Sequence, residues 1–567
     1  MKPLLRLILA IMLAGPMAAQ DKPVVPMGLN LAPVTDWSTQ APFLDVMKTA
    51  RPWIVHKSGQ WGGAGEAELI AGDHLDQFGW PRRLPRELGT VGTVILTDMP
   101  QQATSLAGTY RLSFEGNGIV EVLGRAQNVR YADGDVLFDF TPGPGPVEIR
   151  IQRSNTDDYV RNITVVNERH RTAYEAGNLF NPDWLSLIGD FQLLRFMDWM
   201  ATNNSRIQSW PDRPLVQDYT YARNGVPLEV MLALLRETKA DGWFTLPHGA
   251  DDDFARRFAG LINQALSDET QVIAEYSNEV WNWQFQQTAW ANEMGLARWG
   301  QADTGPQYYG ARAAELAQIW SDVFAEDGGP KLINVISSQT GWLGLEELIL
   351  EAPLWQAEVD SPGNPPWIYF DAYAVTGYFG GILGVEDRAP LVKGWIGESR
   401  AAAESAAITK GLFGDARETY MNAHQYDLAS DKADADLMDG SISGDPLDTL
   451  DDLLGRVLPY HAQIADGYGL QLLMYEGGSH VVGIGPMVED AELTGFFTHF
   501  NYAPQMGGLY RRLITGWAQL GGGGFAAYND VYAPSKWGSW GARRWLEDDN
   551  PRWQALAERA NCGDGCE

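Results

Sequence analysis

The chain has 567 residues, of which 45% are hydrophobic and 20% charged, so it has the composition of a large globular protein and not of a disordered one. Its formal net charge of −31 disfavours nucleic acid and anionic membranes as partners, because like charges repel. A neutral glycan is compatible with this charge. The 22 tryptophans favour one mildly, since indole rings stack on sugars as well as fill cores.

The N-terminal segment 1–20 has the pattern of a secretory signal. Lys2 and Arg6 make its start positive, a short apolar run follows, and small Ala18 and Ala19 precede a polar stretch. We predict cleavage after these small residues and a secreted or periplasmic protein without membrane contact. An uncleaved anchor is the alternative, although no segment of the sequence is apolar over the ~20 residues that span a bilayer.

After the signal the chain alternates strand-like and helix-like segments, with one all-β interruption. A first strand is expected at 27–31 and a helix at 43–55, within a segment 21–85 that begins a barrel. From 86 to 170, short alternating runs are separated by glycine- and proline-rich turns, which is typical of a small antiparallel β-sandwich. We therefore predict an inserted β-domain, with sugar binding as one role open to it.

The alternation resumes in the segment 171–567, which is expected to complete the barrel. Seven further strands are expected there, at 193–196, 243–246, 272–276, 333–337, 367–373, 470–475 and 524–528. Helix-like stretches lie between them, and 398–452 is expected to be a helical excursion. Eight strands with intervening helices predict an α/β fold, a (β/α)8 TIM barrel with an inserted small antiparallel β-sandwich domain. In such barrels the active site lies at the C-terminal ends of the strands.

Two glutamates follow strands that face each other across the predicted barrel mouth. The fourth strand runs into Asn278-Glu279, and the seventh runs into Tyr475-Glu476. Glycoside hydrolysis needs such a pair, because one carboxylic acid protonates the leaving oxygen while the other attacks the anomeric carbon or activates water. A polar barrel mouth without catalysis is the alternative interpretation.

An Asn-Glu pair after strand four, together with a glutamate ending strand seven, resembles the retaining β-glycosidases of glycoside hydrolase clan A. The resemblance covers about 25–60 and 180–555 and leaves out the β-insert. It implies that Glu279 is the acid/base and Glu476 the nucleophile. It also implies that Asn278 binds the sugar 2-hydroxyl, and that no cofactor is needed.

The same resemblance extends to residues around the nucleophile. Arg195, after strand two, matches the arginine that holds the nucleophile ionised, and Tyr373 or Tyr378 matches its hydroxyl partner. The sequence departs from the family pattern in two places. The tryptophan expected directly after strand eight is absent, and the segment around His248 matches no subfamily known to us. The substrate is therefore left open.

Other polar and aromatic side chains near strand ends have two interpretations each. His248 closes strand three and is a candidate to bind a sugar hydroxyl, while the aspartates 251–253 after it are expected to cap the next helix. Trp281 and Trp537 lie in predicted rim loops, where their rings either stack on sugar or pack under the loop. The pattern predicts no metal site, because no ligand geometry is signalled.

The two cysteines, Cys562 and Cys566, lie within the last six residues. In an oxidising compartment this pair is predicted to close a small terminal disulfide. A metal site would need further ligands nearby, and a chain terminus is an unsuitable place for cysteine catalysis.

Together these patterns predict a secreted retaining β-glycosidase that acts on a neutral polysaccharide or oligosaccharide through a covalent glycosyl-enzyme intermediate. The alternative is a non-catalytic secreted glycan-binding protein on a barrel scaffold. A barrel lyase for acidic glycans is disfavoured by the net charge and by the lack of a clustered Lys/Arg/Tyr site. The sugar, the linkage, endo or exo action and the oligomeric state are left open.

Overall fold

The structure is a computed structural model that describes residues 25–57, 60–84, 89–132, 134–325, 329–358 and 363–561. The predicted signal segment and the predicted Cys562–Cys566 disulfide lie outside these residues. Within the described ranges, no helix is both long and apolar enough to cross a bilayer.

Eight parallel strands close into a barrel, which confirms the predicted (β/α)8 fold. The first of them, β1, covers Met27–Asn30 and consists of buried residues. The chain then leaves the barrel and forms two antiparallel sheets before it returns. The strands of these sheets are β2 (Ile54–His56), β3 (Gly63–Gly65), β4 (Thr90–Ile95), β5 (Gly108–Glu115), β6 (Gly118–Gly124), β7 (Gln127–Ala132), β8 (Asp135–Phe140), β9 (Val147–Ser154) and β10 (Arg161–Asn167).

The two antiparallel sheets share a hydrophobic core of their own. One has the strand order β10-β5-β8-β7 and the other β3-β2-β4-β9-β6. Alternate side chains point into the core between them, among them Leu112, Phe138 and Ile149. This period-two burial is the pattern that the sequence displays. The sheets begin at Ile54, earlier in the chain than the boundary expected at residue 86.

The helix expected at 43–55 is wrong. A single 3-10 turn covers Val46–Thr49, with the Asp45 side chain accepting a hydrogen bond from the Met47 amide at its start. Pro52 follows shortly after, and a proline pushes the residue before it towards extended backbone. The chain therefore enters β2 in the insert and does not complete a helix.

The other seven barrel strands follow the insert in chain order. They are β11 (Leu193–Arg195), β12 (Asp241–Leu246), β13 (Gln271–Tyr276), β14 (Lys331–Ser337), β15 (Ala372–Phe379), β16 (Gln471–Ser479) and β17 (Phe525–Ala527). Each pairs in parallel with the next, and β17 pairs with β1 to close the barrel. The sixth barrel strand, β15, starts five residues later than predicted, because Pro365 and Pro366 begin a 3-10 turn at Pro366–Tyr369.

Helices surround the barrel and also form the predicted excursion before its seventh strand. They are α1 (Glu66–Ala71), α2 (Arg171–Glu175), α3 (Pro182–Ile188), α4 (Leu228–Thr238), α5 (Asp252–Ala265), α6 (Gln286–Trp299), α7 (Gly305–Phe324), α8 (Leu345–Glu351), α9 (Pro353–Gln356), α10 (Ala389–Thr409), α11 (Gly414–His424), α12 (Asp427–Asp439), α13 (Leu450–Asp452), α14 (Leu458–Tyr468), α15 (Ala491–Phe500), α16 (Pro504–Gln519) and α17 (Pro551–Asn561). Asp251 caps α5 as expected, since its carboxylate accepts from the Phe254 amide at 2.7 Å.

Close approach of β1 and β11 depends on a glycine. A Cβ added to Gly28 would lie 2.9 Å from both the Cβ and the carbonyl oxygen of Leu193. We expect Gly28→Ala to lower the free energy of unfolding by about 1–3 kcal/mol through overpacking, measured as a lower Tm at a fixed scan rate. The control is Gly260→Ala in α5, where nothing lies within 4 Å and helix propensity should raise the Tm. An unchanged Tm for Gly28→Ala would contradict the close packing.

Candidate active site

The backbone turns sharply as it leaves β13, and this turn positions Glu279. Ser277 and Glu279 have φ values of +62° and +41°, in the left-handed region that side chains disfavour. The Ser277 amide still bonds the Leu246 carbonyl at 2.8 Å, so the turn begins directly at the strand end. Backbone conformations of this kind cost about 1–3 kcal/mol each and cluster at functional sites.

A β-bulge positions the second glutamate. In the pairing of β15 with β16, Val375 lies opposite Met474 and the next residue, Thr376, lies opposite Glu476, so Tyr475 is the extra residue. Side chains of a regular strand alternate between its two faces, whereas a bulge re-aims them. Here the consecutive side chains of Tyr475 and Glu476 both reach groups of the site at the C-terminal end of the barrel.

A buried arginine connects the residues at this end of the barrel. Arg195 has no exposed surface, and its two terminal nitrogens donate four hydrogen bonds. Nη1 donates to Glu476 Oε1 at 2.8 Å and Asn30 Oδ1 at 3.0 Å, and Nη2 donates to Asn278 Oδ1 at 2.9 Å and Glu275 Oε2 at 3.0 Å. Burial alone would lower the pKa of Arg195, but the two carboxylates raise it above its usual value. The guanidinium therefore stays charged.

Glu275 is the carboxylate inside the barrel wall. Besides Arg195 it accepts hydrogen bonds from Ser337 Oγ at 2.6 Å and from Trp243 Nε1 at 2.9 Å. A buried carboxylate is costly unless it is paired and hydrogen-bonded, and three donors meet that requirement here. Glu275 thus has the environment of a structural partner of Arg195 and not of a reacting group.

Glu476 is buried, and both of its oxygens accept hydrogen bonds. Arg195 occupies Oε1, and the Tyr378 hydroxyl donates to Oε2 at 2.9 Å. Burial raises the pKa of Glu476 to about 8, against the opposing effects of Arg195 and Tyr378; the charges of Glu279 and Asp198 add to the rise. Burial and the charge of Glu476 also raise the pKa of Tyr378 well above its usual value, so this phenol remains a donor.

Among the residues that the structure describes, Glu279 has only neutral hydrogen-bond partners. The Tyr475 hydroxyl donates to Oε1 at 3.1 Å, and the Asn282 amide donates to Oε2 at 2.8 Å. Burial raises the pKa of Tyr475 well above its usual value, with the charge of Glu279 as the next cause, so it too stays protonated. The two glutamates therefore differ in kind, because Glu476 is paired with a cation and Glu279 is not.

The Asn278 side chain is fixed by a guanidinium on one side and by an amide on the other. Its side-chain oxygen accepts from Arg195, and its Nδ2 donates to Asn203 Oδ1 at 3.1 Å. Gln287 in turn donates to Asn203 Oδ1 at 2.7 Å and to the Asn278 carbonyl at 2.8 Å. This network leaves Asn278 with one defined orientation beside Glu279.

Aromatic side chains flank Glu476 on the side of strands six to eight. The Tyr378 ring lies 6.4 Å from that of Tyr528 and 6.1 Å from that of Trp540, and His480 lies 5.4 Å from Trp540. Tyr528 is the residue directly after β17, where the resemblance leads one to expect tryptophan. A tyrosine thus occupies the position where the resemblance predicts tryptophan, and the ring of Trp540 lies beside it.

Two of the predicted substrate-binding residues lie elsewhere in the structure. Tyr373 is near the start of β15 and bonds His461 Nδ1 at 2.9 Å, so of the two tyrosines only Tyr378 contacts Glu476. Trp281 is buried against Tyr309 with ring centroids 5.8 Å apart. This corrects the expectation of a sugar platform, because Trp281 is only 7% exposed and packs against a residue of α7.

The remaining two candidates are accessible to different degrees. His248 is buried beside Trp290, burial lowers its pKa, and no hydrogen-bond partner for its Nδ1 lies in the described part of the chain. Trp537 is 64% exposed in the loop after β17, with Lys536 Nζ 4.9 Å from its ring centroid. Both therefore remain predictions as sugar-binding residues.

Several residues around the glutamates had no signal in the sequence. Tyr475, Asn282 and Asn203 approach them only because of a bulge, a tight turn and a loop between β11 and α4. Asp198 meets Tyr528 across 330 residues. Among the described residues no cluster of three or more His, Cys, Asp or Glu side chains is arranged to hold a metal ion.

No protein-family model matches this chain, and no curated protein matches it either. Among solved structures it is similar to a fungal β-1,4-galactanase, with 11% identity, a TM-score of 0.30 and coverage of 63% of this chain and 86% of the other. It is also similar to a glycoside hydrolase family 5 mannosidase from Rhizomucor miehei, with 10% identity, a TM-score of 0.29 and coverage of 70% and 87%.

A third similar structure is an endo-β-1,4-mannanase from Thermotoga petrophila. Its identity is 10% and its TM-score 0.29, over 66% of this chain and 71% of the mannanase. The fold follows from the strand pairing of this chain itself.

The Arg195 network leads to a stability prediction. Arg195→Met would leave the Glu275 and Glu476 carboxyls buried without their cation, which should cost about 3–5 kcal/mol in denaturant unfolding. Without the guanidinium the pKa of Glu476 rises further, so the folded variant binds protons as the pH falls. The deficit should therefore be smaller at pH 5 than at pH 8.

The control for this variant is Arg456→Met. Arg456 is about half exposed and pairs with Asp452 at 2.6 Å within one helical stretch, so its loss should cost well under about 1 kcal/mol at either pH. Equal losses in the two variants would mean that the buried network does not contribute as described.

Proposed function

We propose that the protein is a retaining β-glycosidase that hydrolyses glycosidic bonds in a neutral polysaccharide or oligosaccharide. The observation that carries this proposal is the contrast between two glutamates at one barrel mouth. Glu476 is held by a guanidinium and a phenol, whereas Glu279 is held by a phenol and an amide. Two carboxyl groups in unlike environments are what separate roles of nucleophile and acid require.

In the first step Glu476, as carboxylate, attacks the anomeric carbon and forms a glycosyl ester. The bond between that carbon and the leaving oxygen breaks, and the proton of Glu279 moves to this oxygen. Arg195 favours the ionised form of Glu476. Asn278 lies between Arg195 and Asn203, in a position suited to hold the 2-hydroxyl, as the resemblance implies.

In the second step a water molecule attacks the anomeric carbon and breaks the ester. One proton of the water passes to Glu279, its O–H group becomes the anomeric hydroxyl, and Glu476 leaves as a carboxylate, so both groups regain their starting states. Arg195 bonds Oε1 of Glu476 and Tyr378 bonds Oε2, so both are placed to stabilise the negative charge that returns to the carboxylate. Two displacements at one carbon give net retention of configuration.

Exposed tryptophans support a glycan as the substrate. The loops after the first, fourth, fifth and eighth barrel strands each carry one, namely Trp37 (45% exposed), Trp283 (71%), Trp342 (54%) and Trp537 (64%). Large apolar rings at a polar mouth are suited to stack on sugar faces. The net charge of −31 favours a neutral glycan over an acidic one. Export, proposed from the pattern of residues 1–20, would bring the enzyme to such polymers.

The roles of the two glutamates are tested by deletion and rescue. Glu476→Ala should leave no measurable turnover, and azide should restore some of it as a glycosyl azide of inverted configuration, detected by NMR. Glu279→Ala should lower kcat by about 10²–10⁴-fold, and azide should give the retained anomer. The substrates are neutral glucans, mannans, xylans and galactans, with aryl β-glycosides.

The matched control is Glu293→Ala, an exposed glutamate of α6, which should keep full activity. Full activity in either Glu279→Ala or Glu476→Ala would refute the proposal. Glycan binding that is unchanged in Glu476→Gln, without release of reducing ends by the wild type, would favour the glycan-binding alternative.

The hydrogen bond from Tyr378 leads to a pH prediction. This bond lowers the pKa of Glu476, so Tyr378→Phe should raise that pKa and move the acidic limb of kcat/KM to higher pH. The control is Tyr373→Phe, a buried tyrosine of the same strand that bonds His461 and not Glu476. It should leave the limb in place. A limb that moves to lower pH in Tyr378→Phe would contradict the assigned bond.

A further inference from the structure

Asp198 is a third carboxylate at the barrel mouth, three residues beyond the end of β11. A tight turn follows that strand, in which the Ala201 amide bonds the Asp198 carbonyl at 3.0 Å. The Asp198 side chain is part-exposed, whereas Met197 and Trp199 on either side are buried. The turn thus presents a carboxylate at the mouth from a segment that is otherwise core.

Asp198 has fewer hydrogen-bond partners than a structural carboxylate has in this barrel. Its Oδ2 accepts from the Tyr528 hydroxyl at 3.1 Å, and within the described ranges no hydrogen bond reaches Oδ1. Asp530 provides the comparison. It accepts from the Ala32 amide, Gln40 Nε2 and Trp184 Nε1 at 2.7–2.9 Å, as a structural carboxylate does. One oxygen of Asp198 is therefore left for a donor from outside the chain.

Contacts place Asp198 on the side of the nucleophile. Its partner Tyr528 lies against the ring of Tyr378, and Tyr378 donates to Glu476. The charge of Asp198 also raises the pKa of Glu476, which requires the two carboxylates to be near each other. Glu279, by contrast, is bonded by Tyr475 and Asn282. Asp198 thus faces the sugar that Glu476 attacks, rather than the leaving group.

We propose that Asp198, oriented by Tyr528, accepts a hydrogen bond from a hydroxyl of the sugar that becomes attached to Glu476, and so selects that sugar. The inference rests on the proposed glycosidase function and adds to it a residue that recognises the glycone. A sugar hydroxyl supplies the donor that the free Oδ1 lacks.

The chemistry of the pair agrees with this role. Burial raises the pKa of Asp198 to about 6, while Tyr528 and Arg195 lower it, so the carboxylate is ionised at neutral pH and acts as an acceptor. Burial and the charge of Asp198 raise the pKa of Tyr528 well above its usual value, so this phenol remains a donor to Asp198. A site built to bond one hydroxyl discriminates strongly against a sugar that lacks it.

The test uses the aryl β-glycoside that the wild type cleaves best and its 2-, 3-, 4- and 6-monodeoxy analogues. Asp198→Ala should lower kcat/KM on the parent by about 10- to 100-fold, the range of a hydrogen bond to a charged group. Apart from the 2-deoxy analogue, whose missing hydroxyl is the one proposed for Asn278, the wild type should cleave one analogue poorly. Asp198→Asn keeps an acceptor oxygen and should cleave the same analogue poorly. Asp198→Ala should cleave that analogue and the parent equally well.

The control is Asp241→Asn, a carboxylate at the opposite end of the barrel that bonds the Gln271 amide at 2.7 Å. It should keep the wild-type ranking of analogues. Tyr528→Phe should weaken the discrimination without abolishing it. No loss in Asp198→Ala, or the same loss on every analogue, would overturn the proposal, provided that circular dichroism and Tm match the wild type.

Failure of the proposed function gives a different result. A wild type that cleaves none of the glycosides or glycans refutes the glycosidase, and calorimetry with glucose, mannose, galactose and xylose then decides the role of Asp198. Affinity for one of these sugars that falls about 10-fold or more in Asp198→Ala supports sugar recognition. Equal affinities, or no binding at all, overturn it.

Discussion

A single buried guanidinium holds together side chains from four of the eight barrel strands. Arg195 at the end of the second strand reaches Asn30 on the first, Glu275 and Asn278 on or beyond the fourth, and Glu476 on the seventh. Such a charge is tolerated in a barrel interior only because every acceptor around it is fixed. The positions of the two proposed catalytic segments relative to each other therefore depend on this one side chain.

The balance of charge around Arg195 also separates the carboxylates by role. Glu275 accepts from three donors inside the barrel, and Glu476 shares the cation at the mouth. Within the described part of the chain, Glu279 and Asp198 have no cation bonded to them. Four carboxyl groups with one buried cation cannot all be equally stable as anions. In the proposed mechanism, that inequality lets one group attack, another carry a proton and a third accept a hydrogen bond from the ligand.

The sequence allowed the fold to be predicted because its signals are local. Parallel barrel strands are buried on both faces and appear as short apolar runs, and the insert alternates with period two. The predictions are wrong where a local helix or strand pattern is overridden by a nearby proline or by pairing with a distant strand. The apolar spacing at 43–55 favoured a helix, but Pro52 and pairing with β4 make part of it a strand. The start of β15 was misplaced because the strand-like run at 367–370 follows two prolines.

The sequence predicts those site residues that lie at the ends of barrel strands or match the family pattern, and it misses the others. Glu279 and Glu476 follow strands, so the barrel rule finds them, and Arg195 and Asn278 come from the family pattern. Tyr475 could not be found, because a bulge that turns it to the face of Glu476 depends on the register with β15. Asp198 and Tyr528 are far apart in sequence and meet only on barrel closure. For Trp281 the sequence leaves stacking on sugar and packing under the loop both open, and the contact with Tyr309 places it in the core.

Closure of the barrel has a consequence for the order of folding. Strand β1 finds its partners only when β11 and β17 have formed, and the last of these lies near the end of the chain. Long sequence separations make such pairings slow, whereas the insert joins strands that are close in sequence around its own core. The insert is thus able to fold before β1 pairs with β11 and β17. The hydrogen-bond network around Arg195 forms only after this pairing, as one of the final folding events. A nascent chain that has not yet formed β17 would therefore carry a folded β-domain without the assembled network around Arg195.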